Sequence, residues 1–338
     1  MSGTDKGVRR PWALLAIFAI AAALVVAFLL LRGGGGENEA AADRTLKVGD
    51  QRGGIQALLQ AAGELDNVPY RIEWALFPAA SPLLEALGSA AIDIGGVGGS
   101  PFAFAYAGGA KIKVVFATRR PNGRGSAASA IVVPGKSPLR RVADLKGRRL
   151  ATVRGSAGQD LALQLLEAHG LEAKDIHWVY LNNSEAKAAL GTGAVDAWST
   201  WGSYVGVALL KDGDRVMGDG RDLPAQANFY AASDDAIATK RAQLTDFVAR
   251  LARARQWALS HRAEYADVMA RETGIPRDVA QFTVDGYQMV ATPIDDRVLR
   301  EQDQIFARYR RAGIIDRVPD LNGAFDRSFA PPGGNPKG

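Results

Sequence analysis

The sequence predicts an α/β fold built on parallel sheets, preceded by one apolar segment long enough to cross a membrane. Three observations predict it. From Arg44 onward, short apolar runs alternate with helical patterns, the pattern of strand-helix units that feed a parallel sheet. Several of those runs end in glycine- and serine-rich stretches just ahead of a helix. Finally, Trp12 to Leu31 is a run of twenty residues without a charge, enough to span a bilayer core of about 30 Å. At 338 residues the chain exceeds the usual single domain, so two domains are expected behind that segment.

Taken in order, residues 1–36 read as a signal peptide or a membrane anchor. Lys6, Arg9 and Arg10 precede the apolar run and should stay cytoplasmic, placing the remainder outside. A cleavable signal has an apolar core of about 7–15 residues, so the length favours an uncleaved anchor. Ala40-Ala41-Ala42 would suit a cut but lies far from the apolar run. Residues 37–43 read as a linker and residues 331–338, "PGGNPKG" with its preceding proline, as a disordered tail. Between them "TLKVG", "YRIEWALF", "AIDIG", "IKVVFAT", "ASAIVVP", "RRLATVRG", "DIHWVYL" and "AVDAWST" read as strands. "IQALLQAAGEL", "SPLLEALGSA" and "SPFAFAYAG" read as helices between the first of them. After "NFYAAS" the chain turns almost wholly helical from Asp234 to Arg311, with a break expected at Gly274-Ile275-Pro276.

Composition excludes several chemistries. There is no cysteine, hence no disulfide, thiolate metal site, cysteine nucleophile or lipid anchor on Cys. His169, His177 and His261 are far apart, and neither a metal nor another cofactor is expected. Of the net charge of +5, three units come from Lys6, Arg9, Arg10 and Arg32 against Asp5. The exported part is nearly balanced, so nucleic acid is not an expected partner. "RGSAG" and "GGSPF" each lack a glycine of the nucleophile elbow. "GGVGG" has no following Lys-Ser/Thr, which rules out a P-loop.

Open parallel sheets bind ligands outside the carboxyl ends of their strands, and those ends are distinctive here. "LKVGD" ends at Gln51-Arg52-Gly53-Gly54, "AIDIG" at Gly96 to Ser100, "RLATV" at Arg154 to Gly158, and "AVDAW" at Ser199 to Tyr204. In "IGGVGGSPFAFA" the glycines suggest a bare loop, Ser100 a helix N-cap and Pro101 the first turn. Two glycine-serine loops feeding helices suit a small oxyanion, whose charge aligned amides would meet. Arg52 fits either a bidentate clamp on that anion or a solvated cap. Trp201 fits an apolar slot, whereas Trp198 reads as core. Arg119, Arg120 and Arg124 read as a solvated basic loop, and Arg250, Arg253, Arg255 and Arg262 as the wet face of a helix.

These residues resemble the periplasmic substrate-binding proteins of sulfonate-type ABC importers, above all the aliphatic-sulfonate-binding group. The resemblance runs from about Thr45 to Phe325. It is carried by "LKVGDQRGG", "WALFPAASPLLEALGSAAIDIGGVGGSPFAFA", "IVVPGKSPLRRVADLKGRRLATVRGS", "GAVDAWSTWGSY" and "PIDDRVLREQDQIFARYRRAGII". It implies a two-lobed, hinged fold of the type II periplasmic-binding-protein class, closing around a ligand. Lobe one would comprise residues 44–129 and 228–330, and lobe two residues 130–227.

Carried over by position, the resemblance implies ligand contacts from Gln51, Arg52, Gly99, Ser100, Ser156, Ala157, Trp201, Asn228 and Tyr230. Relatives often carry an acid at the position of Gly99 and Asp-Pro at Gly202-Ser203. Asn228 is neutral where taurine-type relatives have an acid. The implied role is capture of a small organic oxyanion, an aliphatic sulfonate, for an ABC permease, by a monomer outside the cytoplasm. That protein would be held to the inner membrane by residues 12–31 if these are not cut. A membrane-anchored sensor or adaptor for a similar anion is the alternative. A desulfinase or a thiamine-pyrimidine synthase on similar lobes would need the cysteine or histidine cluster that this chain lacks.

Overall fold

The computed structural model describes residues 45–329. The segments read as signal or anchor, as linker and as tail lie outside the described residues. Among the described residues no helix is long and apolar enough to cross a membrane.

The chain begins with β1 (Thr45–Gln51), α1 (Gly54–Ala61), β2 (Arg71–Phe77), α2 (Ala80–Gly88), β3 (Ile94–Gly98), α3 (Gly99–Ala107) and β4 (Ile112–Arg119). A second group follows: β5 (Ser129–Val133), β6 (Arg149–Thr152), α4 (Ala157–Ala168), β7 (His177–Tyr180), α5 (Asn183–Gly191), β8 (Ala197–Trp201), α6 (Ser203–Leu210) and β9 (Arg215–Asp219). Then come β10 (Asn228–Ser233), α7 (Asp234–Thr239), α8 (Arg241–Ala258), α9 (Arg262–Thr273), α10 (Arg277–Gly286), β11 (Val290–Thr292) and α11 (Asp296–Arg311). Gly274 closes α9 in the left-handed conformation at φ +70° and Pro276 precedes α10, as the break at 274–276 predicts.

The strands form two sheets, ordered β11-β4-β10-β3-β1-β2 and β7-β6-β8-β5-β9. Apolar clusters cover each: Leu58, Phe116 and Phe247 on one side of the first, Leu83, Phe102 and Phe229 on the other. Leu150, Leu165 and Ile131 lie in one cluster of the second sheet, Trp198, Val132 and Val205 in the other.

The sheets are mixed, which corrects the expectation of parallel ones. β1 and β3 run parallel, as do β6, β7 and β8. β10 runs antiparallel to β3 and β4, and β5 antiparallel to β8 and β9. The cause is the route of the chain. Ser129 starts β5 opposite Trp201, the last residue of β8, and Asn228 starts β10 opposite Gly98, the last residue of β3. A strand that enters a sheet at its neighbours' carboxyl ends can only run back against them.

The two connecting segments lie side by side. Gly125 N–H donates to the Leu223 carbonyl at 2.9 Å and Ala225 N–H to the Gly123 carbonyl at 3.0 Å. Arg119, read as solvated, is buried at the end of β4. Its guanidinium holds Glu301 in a two-pronged ion pair at 2.7 and 2.8 Å and donates to the Ala225 carbonyl. Arg120 is half-buried and donates to the Gly286 carbonyl. These arginines brace the crossing, where a reading of local charge saw only a basic loop.

The glycine stretch is a strand, not a bare loop. A Cβ on Gly95 would stand 2.7 Å from Leu83 Cδ2, and one on Gly49 would stand 2.4 Å from Ile92 Cδ1. The missing side chains let α2 lie close on the sheet. Gly98 occupies the N-cap of α3 without a side-chain cap, and Ser100 falls inside the helix, so Ser100 is not the cap its position before proline suggests.

Candidate functional site

The carboxyl ends of β1, β3 and β8 and the starts of α4, α6 and β10 meet around a cleft of about 250 Å³. Seven of the nine predicted residues line it: Gln51, Arg52, Ser156, Ala157, Trp201, Asn228 and Tyr230. Gly99 and Ser100 do not; their neighbours Gly98 and Pro101 do. A Cβ on Gly99 would stand 2.7 Å from Gln302 Nε2 and 3.1 Å from the Ala227 carbonyl. Ser100 is buried against the Tyr309 phenol. Both therefore face the packed side of α3.

Local chemistry explains how the lining is held. Gln51 donates its amide to the Gly96 carbonyl at 2.8 Å, tying the end of β1 to β3. Asp50, 1% exposed, accepts from the Ile55 and Gln56 amides at 2.9 and 2.8 Å and so caps α1 from within. Burial pushes its carboxyl above the usual range, opposed by those amides and by the Arg255 guanidinium. Arg52 takes the left-handed conformation at φ +60° and its guanidinium stacks 4.5 Å over the Tyr204 ring. It is neither a helix cap nor a free side chain, and it joins the first sheet's edge of the cleft to the second's. Ser156 does cap α4: its hydroxyl oxygen accepts from Gln159 N–H at 3.2 Å, leaving the hydroxyl proton free to donate. Trp198 is fully buried, as expected, while Trp201 is half-buried at the cleft.

Four helices start at this cleft, with Gly54 of α1, the α3 N-cap Gly98, Ala157 of α4 and Ser203 of α6 among its lining. Asp50 already takes the first amides of α1, so the N-termini of α3, α4 and α6 are the ones whose N–H groups offer partial positive charge, a setting that favours an anion. The walls between them are apolar, from Ile55, Val97, Phe229, Met269, Val284 and Met289. Such a pocket, apolar with a few placed polar groups, suits a small organic ligand. Among the described residues, no three His, Cys, Asp or Glu side chains stand together as a metal site would require.

Arg255 is the residue that the sequence reading missed. Arg250 and Arg253 pair with Asp246 and Glu64 at 2.7 and 2.6 Å, and of the two only Arg253 is on a wet face, the Arg250 side chain being 11% exposed. Arg255 instead reaches the cleft and donates to the Tyr230 hydroxyl at 2.8 Å. A signal was present. Arg255 stands four residues after Leu251 and three before Ala258, both buried, and so lies on the apolar stripe of α8.

The fold is that of the two-domain periplasmic binding proteins. The periplasmic aliphatic sulphonate binding protein SsuA from Escherichia coli aligns with a TM-score of 0.71 at 31% identity, covering 83% of this chain and 91% of that one. The alkanesulfonate-binding protein SsuA from Xanthomonas axonopodis pv. citri, solved bound to MOPS, aligns with a TM-score of 0.76 at 29% identity over 84% of this chain and 99% of that one. A protein of Escherichia coli (strain K12), named as an aliphatic sulfonates-binding protein, is 34% identical over 285 residues, 83% of this chain and 88% of its own length. The NMT1/THI5-like family pattern matches residues 79–265, and the chain belongs to that family.

Proposed function

We propose that this protein captures a small organic oxyanion, an aliphatic sulfonate, in the cleft and presents it to the permease of an ABC importer. The observation that carries the reading is the convergence of three further helix N-termini, those of α3, α4 and α6, on a cleft whose one acidic lining residue, Asp50, is spent on capping α1. That lining attracts a negative head group and offers no free carboxylate to an ammonium group, so unsubstituted alkanesulfonates suit it better than taurine. The named binding role of the 34% identical relative supports the same reading.

In this reading lobe one spans residues 44–129 and 228–330 and lobe two residues 130–227. Gln51, Arg52, Ser156, Ala157, Trp201, Asn228 and Tyr230 contact the ligand, while Gly99 and Ser100 act by placing Gly98 and Pro101. The protein is a binding protein and not an enzyme, works outside the cytoplasm, and is held to the membrane by residues 12–31 if these are not cut as a signal peptide. Thermal unfolding of the full chain with ethanesulfonate, taurine, nitrate or sulfate tests the binding role. Ligand at a hundredfold over its Kd adds about 2.7 kcal/mol, a rise of roughly 5–10 °C at this size. A rise with ethanesulfonate exceeding that with taurine is expected, and no rise with any alkanesulfonate would remove sulfonate as the cargo.

A further inference from the structure

Arg255 differs from Arg250 and Arg253, its neighbours on α8. Its Nη2 donates to the Tyr230 hydroxyl at 2.8 Å, while its Nε is buried without a hydrogen-bond partner. Among the described residues no carboxylate lies within ion-pair reach of it, whereas Arg250 and Arg253 on the same helix each hold one. The nearest acid, Asp50, has its oxygens on the Ile55 and Gln56 amides. Tyr265, the other group facing the guanidinium, donates its hydroxyl to the Gly54 carbonyl at 3.1 Å. Taking a guanidinium out of water without an anion beside it costs the fold free energy. The same group, lining a cleft and with one donor already fixed by a phenol, is prepared to hold an oxyanion through its remaining donors.

We infer that Arg255 is the cationic anchor of the ligand, meeting its anionic head at the first sheet's side of the cleft, and that Tyr230 positions the guanidinium. The helix N-termini then orient and enclose a charge that Arg255 neutralises. Gly96 supports this arrangement: it pairs with Tyr230 across β3 and β10, and a Cβ there would come within 3.3 Å of the phenol ring. This inference rests on the anion-binding reading of the cleft.

The test is titration calorimetry of the full chain and its Arg255→Gln, Arg255→Lys and Tyr230→Phe variants against ethanesulfonate, sulfate and nitrate. Arg255→Gln should weaken the best-bound anion thirtyfold or more. Arg255→Lys keeps the charge and protects against loss of folding, but loses the fork, and should weaken it about tenfold. Tyr230→Phe should cost several-fold and leave the stoichiometry at one. If the unmodified protein binds an anion and Arg255→Gln and Arg255→Lys bind it equally well, the anchor role falls while the binding reading stands. If the unmodified protein binds none of the three, both fall.

Discussion

Gly155 takes φ +69°, and a Cβ placed on it would stand 2.4 Å from Cγ of Phe104. The ring belongs to α3 on the first sheet, and Gly155 belongs to the loop that starts α4 on the second. An alanine there must accept left-handed backbone and displace a ring in a packed contact. Gly155→Ala should therefore cost about 2–3 kcal/mol in urea unfolding; a loss below about 0.5 kcal/mol would mean that the Phe104 ring moves freely. Asp196 gives a test in pH. Hydrogen bonds from the Arg149 side chain hold its carboxyl below the usual range. A carboxyl depressed in the folded state stabilises above its unfolded pKa and loses that contribution as pH falls through the folded value. Asp196→Asn should lower the thermal midpoint more at pH 7 than near pH 2. An equal drop at both would assign the effect to packing.

At the scale of elements, α11 is the piece that joins the two halves on the side away from the cleft. Arg308 reaches Asp160 on α4 at 2.6 Å, with 11% and 1% of the side chains exposed. Tyr309 donates to the Ser156 carbonyl at 3.2 Å, and Ile305, Phe306 and Leu163 pack together around them. Removing one partner of a buried pair leaves the other charge uncompensated, so Arg308→Ala should cost about 3–5 kcal/mol at neutral pH. Denaturant titration checks it, and a change under about 1 kcal/mol would show that Gln164 and Gln226, which also donate to Asp160, suffice to hold it. Elements like α4, α9 and α11 were legible in the sequence because each carries its own periodicity and cap. β9 and β11 were not: each is only three to five residues long and is made a strand by the neighbour it pairs with. The same limit hid the site's chemistry. Ser156 caps its helix, whereas Ser100, which before proline reads as a cap, lies inside one, because the strand ahead of it runs on to Gly98. Arg255 and Arg253 are indistinguishable as charges; only the place of Arg255 on the apolar stripe of α8 sets it apart.

For the whole molecule, the governing feature is that the first sheet is not continuous in sequence. β10, at its centre between β3 and β4, comes about 110 residues after β4 ends. The second sheet is drawn from residues 129–219 alone. A fragment of residues 129–227 should therefore show a cooperative urea transition, while one of residues 44–129 should show none. A cooperative transition in the shorter fragment would mean that β3 and β4 can pair without their intervening strand. There is a consequence for birth order. During synthesis at roughly 5–20 residues per second, the amino-terminal strands wait on the order of ten seconds for the strand that completes them. The half made first is thus finished last, and for that interval the nascent chain stays open to whatever machinery handles unfinished polypeptide.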